Sequence, residues 1–447
     1  MATPVGATGS KVRFVRDTGA TPVEVLCFPN IAKMTINWIG CRNKSSIYAY
    51  KRAQSYCLAG GSLDRRSFVA GFSTACSFAI VKRALASINH KSPLEQRVHS
   101  QLDLAVADGL TVGAVMMVVQ HGKILALEAA GYADAATKTL MRTDAIFDIR
   151  SISKVITVFG ALLLVDDGKF TFESPIAQFL PEFANAKVKG QTGPTDVPIT
   201  IRQLMVHCSG IAERPQEIAN ITRTFDHTLA EDVALVAQQP LDFVPGSKWA
   251  YSSSGIAVLG RIVEVVSGQP FQDFMQQHVF APLEMQDSSF FTNREKVARI
   301  PTMYNLEKGA LVKDVMNVTR PGQKYSAPDF GMFSTAEDLR HYCQMMLDRG
   351  SWKGRRILSA KLVDEMTRPQ MQTAVPKYKA GLGYAIHIDG APEMSYAVTD
   401  GSYGANGASG GIIWMDPSLQ LMRIYLTHYF LGDFREGNTV MNAAFPG

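Results

Sequence analysis

"DIRSISKVITVFGALLLVDDGKF", residues 148–170, puts a serine, Ser151, three positions before a lysine, Lys154, at the head of an almost wholly apolar run. From Val155 to Val165 the run is apolar on nearly every face of a helix. Such a helix is buried all round, yet too short to span a bilayer. Asp166, Asp167 and Gly168 stop it. An i, i+3 pair shares one helical face, with Cβ atoms about 5–6 Å apart, so Lys154 reaches Ser151 without help from a loop. The helix dipole and desolvation both push a lysine there towards its neutral form. A neutral amine can take the serine proton and make a nucleophile of the hydroxyl. The Ser151 N–H offers half of an oxyanion hole. Alone the S-x-x-K signal is weak, since chance supplies about one or two in a chain of this length. The plain alternative is a capping serine beside a solvated lysine.

Working outward, "VGAVMMVVQHGKILALEAAGYAD" (112–134) reads as two strands joined at His121-Gly122. From about 170 to 320 the pattern is mainly helical: "TIRQLMVH", "LAEDVALVAQQ", "GIAVLGRIVEVVSG" and "FQDFMQQHVFAPLE". "STAEDLRHYCQMMLDRG" (334–350) is a further helix, and "GLGYAIHI", "GIIWMDP" and "LQLMRIYLTHYF" return to strand. Strands at both ends and helices between predict one sheet built from both ends of the body, with a helical insertion.

Two further stretches carry polar groups among apolar ones. In "PGSKWAYSSSGIAVLGRIVEVVSG" (245–268), Tyr251-Ser252-Ser253 precedes a helix. A phenol beside a cationic lysine can titrate low enough to shuttle protons, and Ser253 can bond a substrate carbonyl. A packed aromatic is the commoner role for such a tyrosine. In "YGANGASGGIIWMDP" (403–417), glycines let backbone approach a ligand closely. Gly407 to Gly411 also match G-x-S-x-G, but that motif needs a strand before it and a helix after it. A polar loop before and a β-rich segment after mark Ser409 as a decoy. His207 beside Cys208 suggests a Cys-His pair, but adjacent residues on a helix point apart, which favours a structural role.

The bulk composition narrows the function classes. Residues 1–86 hold 12 lysines and arginines against three acids, +9, while the remainder holds 33 against 37, −4. The body therefore has no basic character to support nucleic-acid binding. No C-x-x-C pair exists, and Cys208 and Cys343, alone downstream of residue 86, form one disulfide or none. At the front, "LDRRSFVAGFSTACSFAIVKRALAS" (63–87) has paired arginines, a mild apolar stretch too short for a stable membrane span, and Ala84-Leu85-Ala86. It resembles a twin-arginine export signal. That reading puts the true start near Leu63 and the exported body at 87–447. It leaves residues 1–62 as translated upstream sequence or a disordered extension. Localisation is then periplasmic or secreted if the signal is used, and otherwise cytoplasmic.

In this order the pieces resemble the serine β-lactamase and penicillin-binding-protein superfamily, in the branch of class C β-lactamases, D-alanyl carboxypeptidases and family VIII carboxylesterases. "PITIRQLMVHCSGI" (198–211), "FSTAEDLRHY" (333–342) and "GGIIWMDPSLQL" (410–421) look typical of that branch, and the similarity covers roughly residues 95–440. The resemblance implies an α/β (α+β) architecture of the β-lactamase/transpeptidase-like fold: an antiparallel sheet flanked by helices, plus an all-helical subdomain. It assigns Ser151 as the acylated nucleophile, Lys154 and Tyr251 as the proton-transfer pair, and the N–H groups of Ser151 and Ala408 as the oxyanion hole. Ser253 stands where the family usually has asparagine. The third motif, Lys-Thr-Gly in β-lactamases, falls on Ala405-Asn406-Gly407. Ala405 cannot hold a substrate carboxylate. The expectation is therefore a serine hydrolase of small carboxylic esters, with no metal or organic cofactor. A β-lactamase or D-alanyl-D-alanine carboxypeptidase with a relocated anchor, Arg150 being one candidate, and a non-turnover acyl-binding scaffold are the alternatives. Sequence leaves hydrolysis against transesterification, and the oligomeric state, open.

Overall fold

The computed structural model describes residues 10–13, 24–27, 91–222, 224–291, 293–307, 310–314, 323–373, 378–387, 397–430 and 435–446. The chain divides into two compact units, Met1–His90 and Lys91–Gly447. In the first, Ser10–Arg13 and Glu24–Cys27 form an antiparallel pair with Ser10 opposite Cys27. The rest of residues 1–62 and the signal-like segment 63–86 lie outside the described residues.

The second unit begins with helix α1 (Pro93–Ala107), which a reciprocal Ser92/Glu95 capping box opens. The hairpin of β1 (Gly113–Gln120) and β2 (Lys123–Asp134) follows. His121 and Gly122 both have positive φ, at 49° and 72°, as a two-residue turn matched to strand twist requires. Short β3 (Thr139–Leu140) completes that edge. Helix α2 (Ser153–Asp166) is the apolar run, with every residue from Ser153 to Leu162 buried. It has no side-chain cap. A cap is worth about 1 kcal/mol, whereas each fully buried Val, Ile, Leu or Phe is worth roughly 1.5–3 kcal/mol. Packing therefore holds α2.

Helices α3 (Ile201–Met205), α4 (Leu229–Ala237), α5 (Ser253–Ser267) and α6 (Phe271–Met275) fill the middle of the chain. Capping boxes at Thr200/Gln203 and Thr228/Glu231 start α3 and α4. A small hairpin, Tyr304–Glu307 with Ala310–Lys313, also falls inside the stretch read as mainly helical. Helix α7 (Ala336–Leu347) precedes strands β4 (Met371–Gln372), β5 (Tyr378–Ala380), β6 (Ala385–His387), β7 (Tyr403–Asn406), β8 (Ile412–Asp416) and β9 (Leu421–Thr427). Helix α8 (Arg435–Ala443) closes the unit.

The nine strands form one sheet in the order β4-β5-β6-β7-β8-β9-β1-β2-β3, with antiparallel neighbours throughout. The β9–β1 pair, Leu421 opposite Gln120 through Thr427 opposite Ala114, joins the two ends of the body as the sequence pattern predicts. Alternation splits the sheet's residues between two cores. Met116, Val118, Trp414 and Tyr425 pack with Val98 and Leu102 of α1 and with Val440 and Met441 of α8. Val115, Met117, Ile413 and Ile424 belong to the larger core, which includes the residues of α2, α5 and α7. Because both faces are covered, β1 reads as a nearly continuous apolar run, and β9 is apolar apart from the buried Arg423 and Thr427.

Candidate active site

Ser151 sits in a single 3-10 turn, Arg150–Ile152, that feeds α2. Arg150 takes φ +47°, a left-handed conformation that costs a non-glycine residue and needs local anchors. Its N–H donates to Asp148 Oδ1 at 3.1 Å, and its guanidinium lies 3.1 Å from Asp148 Oδ2 and 3.2 Å from Asp314 Oδ2. Arg150 is thus shared between two carboxylates, which argues against the substrate-anchor role considered for it. Burial pushes the Asp148 carboxyl up, and the Arg150 charge works against that.

Lys154 is 3% exposed, and its ammonium donates to Ser151 Oγ at 3.1 Å and to the Asp329 carbonyl at 2.7 Å. Two more bonds fasten the same segment along α2. Met332 N–H donates to Ser153 Oγ at 3.1 Å, and Thr157 Oγ1 donates to the Pro328 carbonyl at 2.7 Å. Behind this segment lies a buried charged network. Arg214 donates to Asp232 at 2.7 Å, to Asp329 Oδ2 at 3.0 Å and to the Tyr325 hydroxyl at 2.8 Å. Asp232, Asp329 and Tyr325 are fully buried. Burial pushes the Tyr325 phenol well up, so it stays a neutral donor between the aspartates.

Tyr251 is exposed, with its ring centroid 4.9 Å from Lys154 Nζ and stacked at 4.8 Å on the His207 ring. His207 Nδ1 accepts the Ser252 N–H at 3.2 Å. Burial and the nearby Lys154 charge push its pKa down to about 3, so it is a neutral acceptor at ordinary pH. His207 therefore braces the Tyr-Ser-Ser turn and has no thiol partner role; Cys208 and Cys343 are free and buried. Ser252 caps α5, its Oγ accepting Gly255 N–H and donating to the Ile211 carbonyl, both at 2.9 Å. Ser253 is the first residue of α5, and its N–H donates to Glu213 Oε1 at 2.5 Å.

The third wall is β7 and the turn after it. A Cβ on Gly407 would lie 2.3 Å from the Ile149 carbonyl oxygen, so only glycine lets this turn press against the backbone leading to Ser151. Ala405 pairs with Ile413 and is half-buried, Asn406 is exposed, and Ala408 follows Gly407 in the turn. Neither the Ser151 nor the Ala408 N–H donates to an acceptor among the described residues. Ser409 is 1% exposed, and its Oγ donates to the Asp148 carbonyl at 3.0 Å. The G-x-S-x-G match is preceded by strand β7, not the polar loop expected, because the Tyr403–Asn406 backbone pairs with β8. Strand β8 follows where a nucleophile elbow needs a helix.

Of the residues read from sequence, Ser151, Lys154 and Tyr251 come together, and Gly407 sits against the backbone of the Ser151 turn. Sequence reasoning missed Asp329, Arg214 and Glu213. Asp329 acts through a backbone carbonyl, which carries no side-chain signature. No group of His, Cys, Asp or Glu able to hold a metal occurs among the described residues. None of the helices there is long and apolar enough to cross a membrane.

A serine–lysine pair under a tyrosine, at the head of a buried helix beside an antiparallel sheet, is the arrangement of a serine acyl-transfer hydrolase. Residues 99–444 match the family described as Beta-lactamase, and the chain belongs to that family. Protein Rv1367c of Mycobacterium tuberculosis is 31% identical over 350 residues, spanning 72% of this chain and 86% of the relative. Esterase EstB of Burkholderia gladioli is 31% identical over 274 residues, 55% of this chain and 68% of its own. The solved structure of EstCE1, described as a hydrolase with promiscuous acyltransferase activity, superposes with a TM-score of 0.70 at 24% identity. It covers 79% of this chain and 98% of its own, and shows the shared fold. The chain is a serine hydrolase.

Proposed function

We propose that the protein hydrolyses small carboxylic esters through an acyl-Ser151 intermediate. The observation that carries the reading is Lys154 Nζ, buried and 3.1 Å from Ser151 Oγ, with the Tyr251 ring beside it. Ser151 Oγ attacks the ester carbonyl carbon and its proton passes to the Lys154/Tyr251 pair. The oxyanion takes the N–H groups of Ser151 and Ala408, which have no protein acceptor among the described residues. The C–O bond breaks, the alcohol leaves with the proton, and a water deprotonated by the same pair attacks the acyl carbon. That releases the acid and restores Ser151. Esters are favoured over β-lactams and D-alanyl peptides because Ala405 offers no cation and Arg150 is shared between Asp148 and Asp314.

The test is turnover of a short-chain nitrophenyl ester beside a chromogenic cephalosporin, with Ser151→Ala as control. Ester turnover that the substitution abolishes supports the reading. Efficient cephalosporin cleavage would replace it with the β-lactamase one. A stable acyl adduct without turnover would replace it with the binding-scaffold one. Export through residues 63–86 is proposed alongside, and a native N-terminus near Ser87 is its expected result.

A further inference from the structure

We propose that Asp314 is a positioning residue for the reaction: through the Arg150 guanidinium it holds the left-handed turn that aims the Ser151 N–H at the oxyanion. The inference rests on the ester-hydrolase reading, in which Ser151 is acylated, and adds to it a carboxylate 164 residues from Arg150 in sequence. The Ser151 N–H and the Arg150 carbonyl share one trans peptide plane, so they point in opposite directions. The carbonyl end is pinned, accepting Ser153 Oγ at 2.6 Å and the Ser153 N–H. The direction of the N–H end then depends on Arg150 keeping φ +47°. A residue with a Cβ leaves that region unless its surroundings hold it there.

Asp148, on the same turn, holds the backbone, its Oδ1 accepting the Arg150 N–H at 3.1 Å. Asp314 holds the side chain from outside the turn, its Oδ2 accepting the guanidinium at 3.2 Å. Arg150, Asp148 and Asp314 are all largely buried, so this guanidinium is far less free to swing than a solvated one. Asp314 is itself fixed. It follows the Tyr304–Glu307 and Ala310–Lys313 hairpin, and its N–H donates to the Met303 carbonyl at 2.9 Å. The hairpin is tied to the end of β2, where Lys313 Nζ donates to Asp134 at 3.1 Å and the Tyr304 hydroxyl accepts the Ala135 N–H at 3.0 Å. The sheet thus reaches the nucleophile through a carboxylate–guanidinium contact.

The experiment measures kcat and KM for nitrophenyl butyrate, each variant at a temperature where circular dichroism shows it folded. Asp314→Ala should lower kcat about tenfold with KM changed less than about twofold. Asp314→Asn, which keeps a neutral acceptor for the guanidinium, should recover part of that loss. Arg150→Ala and Arg150→Gly delete the same cation, but only glycine takes positive φ freely. The glycine variant should therefore turn over at least about fivefold faster than the alanine variant. Adding Asp314→Ala to Arg150→Gly should cost no further kcat, because the carboxylate has no guanidinium left to hold. Unchanged kcat in Asp314→Ala, equal kcat in the two Arg150 variants, or the full Asp314→Ala loss persisting in the glycine background overturns the inference while leaving the ester reading intact. Butyrate turnover absent in wild type, or undiminished in Ser151→Ala, overturns the ester reading itself.

Discussion

Arg214→Met removes the one guanidinium shared by Asp232 and Asp329 and leaves the methylene bulk in place. Arg214 makes contacts of 2.7 and 3.1 Å to Asp232 and 3.0 Å to Asp329, and both aspartates have no solvent exposure. Losing one partner of a buried ion pair costs about 3–5 kcal/mol, because the remaining charge stays desolvated. The same loss frees the segment whose Asp329 carbonyl holds Lys154 at 2.7 Å. A misplacement near 1 Å at a reacting group costs up to about a hundredfold in rate. The expected outcome is a urea midpoint lowered by the equivalent of roughly 3–5 kcal/mol. At temperatures where the variant is still folded, kcat should fall about ten- to a hundredfold, with KM changing far less. Arg214→Lys, which restores the charge without the fork, should recover part of both losses. The reasoning is refuted if Arg214→Met keeps its stability within about 1 kcal/mol and its kcat unchanged.

Three other outcomes follow from the same geometry. His207 has its pKa depressed to about 3 in the folded protein against about 6.5 unfolded, so between those two values the unfolded state binds more protons. Stability should be full above pH about 6.5 and should fall by up to about 4–5 kcal/mol as pH drops towards 3. Urea titrations across that range should show His207→Gln flattening the slope, and an unchanged slope would remove His207 as the cause. Gly407→Ala forces a methyl to within 2.3 Å of the Ile149 carbonyl, and ester turnover should drop at least tenfold as the turn moves off Ser151. Ser409→Ala loses one bond to the Asp148 carbonyl and should cost about 1 kcal/mol of stability with turnover retained. Its inactivation would mean that G-x-S-x-G had been misread.

What could be read from the chain depended on whether the physical cause was local. The Val155–Val165 run announces a buried helix because no solvated face is available to it, and the S-x-x-K spacing places both side chains on one turn. His121-Gly122 declares its hairpin through the φ values it can adopt. Helix α1 has a legible start in Ser92-Pro93-x-Glu95, but its apolar stripe, Val98, Leu102 and Ala105, is too narrow to announce a helix by periodicity. The lysine's second acceptor lies 175 residues away on a main-chain oxygen. Arg214, Asp232, Tyr325 and Asp329 likewise meet only through tertiary packing, and no period or spacing links them. His207 looked like half of a nucleophile pair with Cys208. Its partners turned out to be the Tyr251 ring and the Ser252 N–H, supplied by a loop more than forty residues later.

The pairing of β9 with β1 sets the order in which a nascent chain becomes competent. Strand β1 leaves the ribosome about 300 residues ahead of its neighbour, as Gln120 pairs with Leu421. Closing a loop of that length costs on the order of 5 kcal/mol in chain entropy before any contact repays it. The β1–β2 hairpin and the helices can form during synthesis, but the centre of the sheet stays open until the last strands emerge. The turn at Gly407 belongs to that late group, so the nucleophile helix waits without its third wall. A truncated translation product should therefore be inert, however complete its serine and lysine.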